Sequence, residues 1–166
     1  MKYNSETAKV RTYFFDKIVK CSMSPLVLDV GCGNERIIKR AIGVDKNRNS
    51  SATIYSELKD LSMFADNSFD IVYSSHFLEH LHNPELMLKE MIRVIDANSV
   101  WGNLFLYLPS RDYYKDVNLD HKQEWNLEEF LNTFDHVFKR NINIEHAVEK
   151  HHYSFIVMGK KHEISS

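Results

Sequence analysis

Pro25-Leu26-Val27-Leu28-Asp29-Val30-Gly31-Cys32-Gly33-Asn34 decides how the rest of this chain is read. It is an apolar, extended-favouring run that ends on an acid and passes straight into a turn with two glycines. Val27, Leu28 and Val30 favour extended backbone, and the run is too short for a core helix. Gly31 and Gly33 allow backbone angles closed to other residues and leave room for a ligand beside the main chain. A turn of this kind at the carboxyl end of a parallel strand is where open α/β sheets bind nucleotides. The turn is not the dinucleotide fingerprint G-x-G-x-x-G, because Arg36 stands where the third glycine would be. A ligand-free strand-to-helix turn would use the same residues.

The segments that follow separate these readings. Ile42-Gly43-Val44-Asp45 is a second short apolar strand with an acid at its end, placed to accept hydrogen bonds from ribose hydroxyls. Glu57-Leu58-Lys59-Asp60-Leu61 reads as a third strand, and Asp66 to Ser75 as a polar turn and a fourth. Strand ends that repeatedly carry acids are hard to explain as solvated loop carboxylates. Pro84 to Ile95 has helical spacing, with Asn83 as its cap and Met87 and Met91 on the core side. Asn103 to Leu108 is a fifth strand ended by Pro109, and Asn126 to Phe134 a helix capped by Asn126, with Glu128 and Glu129 in its first turn. Ile142 to Ile144 and Tyr153 to Met158 are the last strands. Residues 1–20 contain an amphipathic helix over 3–20, with Val10, Phe14, Ile18 and Val19 on one face. Alternating strands and helices imply an α/β fold, a mostly parallel sheet with helices on both faces and its strand ends along one edge.

Taken in order, Val27-Leu28-Asp29-Val30-Gly31-Cys32-Gly33, Gly43-Val44-Asp45, Phe64 to Asp70, Phe77-Leu78-Glu79-His80-Leu81 and Glu90 to Ile95 resemble the class I S-adenosylmethionine-dependent methyltransferases, near the group called type 11. The resemblance is firm over residues 25–110. It implies a Rossmann-like, doubly wound, seven-stranded sheet whose last strand inserts antiparallel, and S-adenosylmethionine as the cofactor. Two departures stand out. Only Asn34 to Ala41 join the glycine turn to the second strand, so the first helix should be short or irregular. Asp96 to Gly102 replaces the family's Pro-Gly-Gly before the fifth strand.

The cofactor-binding set that the resemblance implies is Asp29, Gly31, Cys32, Gly33, Asp45, Lys46, Asp60, Leu61, Ser74, Ser75 and His76. The glycine turn lets the backbone meet the methionine and sugar. Asp45 takes both ribose hydroxyls, and Lys46 follows it. Asp60 accepts from the adenine amino group, with Glu57 as the alternative, while the Leu61 amide donates to the ring and Phe64 packs on it. Ser74, Ser75 and His76 end the fourth strand and face the methyl. Asp29 either orients the glycine turn or meets the methionine ammonium through an intermediary, and Cys32 fills space as a small buried hydrophobe.

Methyl transfer needs mainly alignment of the acceptor, which can contribute about 7–11 kcal/mol, and a general base if the acceptor is a hydroxyl. His76 and His121 are the catalytic candidates, with His80 in a structural hydrogen-bonding role. His121 lies in the aromatic and polar stretch over 109–126, long enough for a substrate lid. The pairs His80/His82 and His151/His152 lack cysteine or carboxylate partners at metal-ligand spacing, so no metal is expected.

Composition sets the bounds. At 166 residues the chain fits one domain over 1–166, and 43% hydrophobic with 27% charged residues is ordinary for a globular fold. A net charge of −2 gives no basic surface for nucleic acid. Two cysteines do not staple a chain of this size, and no segment reads as a membrane span or signal peptide, so the cytoplasm is the expected compartment. The expected partner is a small-molecule or sugar-type methyl acceptor, without nucleic acid or membrane. A silent S-adenosylmethionine-binding subunit and a nicotinamide-dependent oxidoreductase are the alternative readings; the missing third glycine argues against the latter.

Overall fold

The computed structural model describes residues 24–101, 103–114 and 119–162. The expected N-terminal helix and residues 115–118 of the expected lid lie outside the described residues. Seven strands form one sheet: β1 (Val27–Val30), β2 (Ile42–Asp45), β3 (Ile54–Tyr55), β4 (Ile71–Ser75), β5 (Asn103–Pro109), β6 (Ile142–His151) and β7 (Ser154–Lys161). Their spatial order is β3-β2-β1-β4-β5-β7-β6. β1 to β5 pair in parallel, and β7 lies antiparallel between β5 and β6. This is the Rossmann-like sheet the resemblance implies, with its antiparallel final strand.

β1 is buried at all four residues, as expected of a central parallel strand covered on both faces. Leu28, Val30, Val72, Leu104 and Leu106 face the helices α1 (Pro84–Val94) and α2 (Leu127–Asn141). Val27, Ile71, Tyr73, Phe105 and Tyr107 form the opposite core with Ile37, Ile38 and Ala41. The α1 cap is Asn83, whose side chain accepts from the Leu86 amide, and Pro84 needs no donor in the first turn. Met87, Leu88, Met91 and Ile92 then turn inward. Each side chain of this size contributes about 1.5–3 kcal/mol when fully buried. α2 opens with a reciprocal capping box between Asn126 and Glu129 and runs a full turn or more past the expected Phe134, because Val137 and Phe138 continue its apolar face.

Two expectations are corrected. The third strand is Ile54–Tyr55, not Glu57 to Leu61. Leu58 adopts φ 52°, which breaks any extended run, yet Leu58 and Leu61 are both buried from irregular backbone. Alternation in sequence could not distinguish that burial from a strand face. Asn34 to Ala41, expected to hold a short or irregular helix, contains only turns and bends. The Asp29 carboxylate reaches across to the Ile37 amide at 2.7 Å and supplies one of the anchors a helix would otherwise provide.

Candidate cofactor and acceptor site

Parallel pairing brings the carboxyl ends of β1, β2, β4 and β5 to one edge, and the Pro109↔Ser154 pair adds the start of β7. At the β1 end, Gly31 and Gly33 have φ 71° and 55°. A Cβ on Gly31 would meet the Phe77 ring at 2.5 Å, so this glycine is required by packing. A Cβ on Gly33 would meet nothing within 4 Å, so this glycine borders open space. The Gly33 amide donates to Asp45 Oδ2 at 2.8 Å, and the Asn47 amide to Oδ1 at 2.7 Å. Each carboxylate oxygen keeps further acceptor capacity. The glycine turn and the β2 acid are therefore one unit, hydrogen-bonded across the edge.

The other candidates divide. Asp29 is buried and accepts from the Ile37 amide, orienting the segment after the glycine turn. Cys32 is buried against Gly43 and Ser51, and burial, reinforced by Asp29, pushes its thiol up to about 12. Lys46 is exposed beside Asp45. Ser74 is buried and its hydroxyl donates to the Val30 carbonyl at 3.0 Å, so that group ties β4 to β1. Ser75 and His76 are half-buried at the open end of β4.

Asp60 and Leu61 are not brought to this edge. The Arg93 and Val94 carbonyls at the end of α1 accept from the Asn67, Ser68 and Phe69 amides, just before β4 begins; that end of the helix lies at the opposite edge of the sheet. The chain from Leu61 onward follows α1 toward it. The Leu61 amide donates to Glu90 Oε2 at 3.1 Å, and Arg93 Nη2 donates to the Leu61 carbonyl at 3.0 Å. The Asp60 carboxylate closes on Ser62, whose hydroxyl and amide hold its pKa below the usual carboxylate range. Glu90 and Arg93, with Asp66 and the Phe64 carbonyl, form the clamp that pins this loop. The hydrogen bonds that Arg93 donates to Glu90 hold Glu90 low and Arg93 high. Glu57, by contrast, is exposed just after β3, one residue beyond Ser56, whose amide donates to the Asp45 carbonyl at 3.0 Å. It borders a cleft of about 290 Å³ shared with Leu58, Leu81, Asn83 and Met87.

Across the edge the structure gathers an aromatic and histidine cluster. His76, at φ 49°, sits 3.0 Å from Ser154 Oγ through Nε2 and 3.7 Å from Glu79 Oε1 through Nδ1. Its ring packs near Tyr107 and Tyr153. His121 stacks on Tyr114 and meets His80 edge-on at 4.9 Å between ring centroids. Its pKa is lowered, first by burial and then by His80. The two catalytic candidates, far apart in sequence, thus flank Glu79. The 109–126 stretch is fastened where it is described: the Arg111 amide donates to Trp125, and the Lys122 and Gln123 amides both donate to the Glu79 carbonyl. A small cavity of about 30 Å³ opens beside His121, lined by Ser110, Arg111, Tyr114 and Gln123. Sequence reasoning did not single out Glu79 as a site group, nor Tyr114 and Tyr153; the only signal was a carboxylate inside the apolar run Phe77 to Leu81.

Residues 28–100 match the family described as Methyltransferase domain. A curated relative, the sterol 24-C-methyltransferase erg6 of Aspergillus fumigatus, is 32% identical over 120 residues, covering 58% of this chain and 31% of its own length. This chain therefore spans about a third of that relative. A chain from a complex containing the Haloferax volcanii Trm112 methyltransferase activator superposes with TM-score 0.69 at 13% identity, over 93% of this chain and 90% of that one. A SAM-dependent methyltransferase from Archaeoglobus fulgidus gives 0.67 at 18%, over 93% and 92%. The motif match and the shared fold make this chain similar to the class I S-adenosylmethionine-dependent methyltransferases. The open position over Gly33 and the Asp45 carboxylate fit that cofactor, because a small glycine gap and a doubly accepting acid are what its ribose and methionine end require. Among the described residues no helix is long and apolar enough to cross a membrane.

Proposed function

We propose that this chain methylates a small-molecule or sugar-type acceptor at oxygen or nitrogen, by direct in-line transfer. The observation that carries this reading is the Gly33–Asp45 hydrogen bond on the same sheet edge as the cluster of His76, Tyr114, His121 and Tyr153. S-adenosylmethionine supplies an activated methyl group on a sulfonium, which is already a good leaving group. Gly33 leaves the main chain open to the cofactor, Gly31 shapes the turn against Phe77, and Asp45 would accept from the ribose hydroxyls. The adenine acid is Glu57, the alternative open from the sequence, since Asp60 is held by Ser62 and the Leu61 amide by Glu90. Ser75 and His76 border the methyl side.

Tyr114, Tyr153 and His121 offer flat faces and polar edges, which suit a ring bearing hydroxyls or amines. His76 is the general base for a hydroxyl acceptor. Its Nε2 lies at hydrogen-bond distance from Ser154 and its Nδ1 faces Glu79, so ring orientation is set from both sides. The domain span of 1–166 and a cytoplasmic site of action belong to the same proposal.

The test is incubation of the full chain with S-adenosylmethionine and a panel of sugars, nucleotide sugars, phenols and amines, read as S-adenosylhomocysteine release and a methyl mass increment on the acceptor. Turnover with a hydroxylated or amine acceptor supports the reading. Cofactor binding with no turnover across the panel would favour a silent or partner-dependent subunit, and binding of NAD in place of S-adenosylmethionine would reject the class.

A further inference from the structure

Among the described residues Glu79 is an anomalous group. Its side chain is 1% exposed, and among the described residues neither carboxylate oxygen has a hydrogen-bond partner. Leaving a buried carboxylate unsatisfied is costly. Around it the fold places imidazoles rather than hydrogen-bond donors at bonding distance. His80 Nε2 lies 3.9 Å from Glu79 Oε1, too far for a hydrogen bond. His80 Nδ1 lies 3.2 Å from the Asp120 carbonyl. A carbonyl only accepts, so Nδ1 carries the proton and the lone pair of the neutral ring is on Nε2, facing Glu79. His121 completes the group: one ligand atom from each of Glu79, His80 and His121 lies within 4.8 Å of the others.

We propose that Glu79, His80 and His121 form a binding site for one divalent transition-metal ion of the zinc type. Two neutral imidazoles and a carboxylate are the donor set that such ions take, with bonds of about 2.0–2.2 Å and ligand atoms on the order of 3.3–4 Å apart. The present spacing needs only a small closure of the His121 ring, which is half-buried on a surface segment. The Asp120 carbonyl is the outer partner that holds His80 in the metal-binding tautomer, the usual arrangement around a ligating histidine. A cation would also satisfy the buried carboxylate oxygens that lack a partner among the described residues. The pairs His80/His82 and His151/His152 drew attention in the sequence, but the competent partner of His80 comes from a distant loop that only the fold brings near.

The site adjoins His76, which stands 3.7 Å from the same carboxylate oxygen. If the methyltransferase reading holds, an ion there could coordinate an acceptor hydroxyl and lower its pKa. Metal binding itself does not depend on that reading, so its test uses neither cofactor nor acceptor.

The full chain, stripped with chelator, is titrated calorimetrically with Zn²⁺ alone and spectroscopically with Co²⁺ alone, with circular dichroism to confirm folding. One ion per chain is expected, with visible Co²⁺ bands of a low-coordinate nitrogen and oxygen site. His121→Ala, on the accessible segment, and the near-isosteric Glu79→Gln should each weaken binding by roughly tenfold or more. His151→Ala/His152→Ala should leave it unchanged. Absence of binding to the folded chain overturns the proposal. So does binding that survives His121→Ala at full strength or that is lost in the His151/His152 variant.

Discussion

At the scale of single residues, Asp45 is the group on which the proposed cofactor recognition turns. Its carboxylate already orders the glycine turn through the Gly33 amide, so on the proposed reading it would serve structure and ligand together. Asp45→Ala should weaken S-adenosylmethionine binding by roughly tenfold or more, in line with about 1.5–3 kcal/mol for a hydrogen bond to a charged group. Calorimetric titration measures this, and unchanged affinity in a folded variant removes the ribose assignment. Cys32, in the same turn, invites mistaken reading as a nucleophile. With its thiol pushed up to about 12 it is almost wholly protonated at pH 8. In a Cys21→Ser background its alkylation should be more than about a hundredfold slower than that of a free cysteine, since the thiolate is the reactive form. Alkylation at the free-cysteine rate would show that the turn opens readily. The placement of Asp29, Gly31, Gly33 and Asp45 along one sheet edge was legible from residue type and position. Asp60 was not, because its placement depends on the Glu90–Arg93 clamp from a helix much further along the chain.

At the scale of elements, the strongest local signals gave the cleanest agreement. β1, β2 and α1 follow from apolar runs, a proline and an asparagine cap. α2 depends on its opening box, in which the Glu129 amide donates to Asn126 Oδ1 at 2.9 Å and Glu129 Oε2 accepts from the Asn126 amide at 3.2 Å. Asn126→Ala should therefore cost about 1 kcal/mol, read as a shift of the chemical denaturation midpoint with unchanged slope. No shift would show that packing of Phe130 and Phe134 holds the helix start by itself. β3 was illegible for a physical reason. Two residues paired to β2 need no pattern of their own, and the buried Leu58 and Leu61 imitate one a few residues later.

At the scale of the whole molecule, the sheet separates two tasks along one edge. The β1 and β2 ends carry the groups proposed for the cofactor, and the ends of β4 and β5 with the start of β7 carry the histidines and tyrosines. Among the described residues, the 109–126 stretch joins the second group through the Glu79 carbonyl and is closed by the Ser110–Trp125 bridge. His121→Ala should accordingly lower turnover more than it lowers S-adenosylmethionine affinity. Parallel steady-state assays and cofactor titrations check this, and equal loss in both would place His121 on the cofactor side. The order of motifs made the sheet and its cofactor edge readable. The acceptor edge was readable only in part, because His76, Glu79, His80 and His121 become neighbours through pairing of β4, β5 and β7 and the return of a long loop.

The central claim is that a glycine turn and the Asp45 carboxylate hold a sulfonium nucleoside facing the histidine and tyrosine cluster. The most direct measurement is a crystal structure of the full chain with S-adenosylhomocysteine. The predicted result has the ribose hydroxyls on Asp45, the amino-acid portion over Gly33, and the sulfur directed toward Ser75 and His76. A nucleoside bound away from Gly33 and Asp45, or turned so that its sulfur points away from His76, would contradict the account.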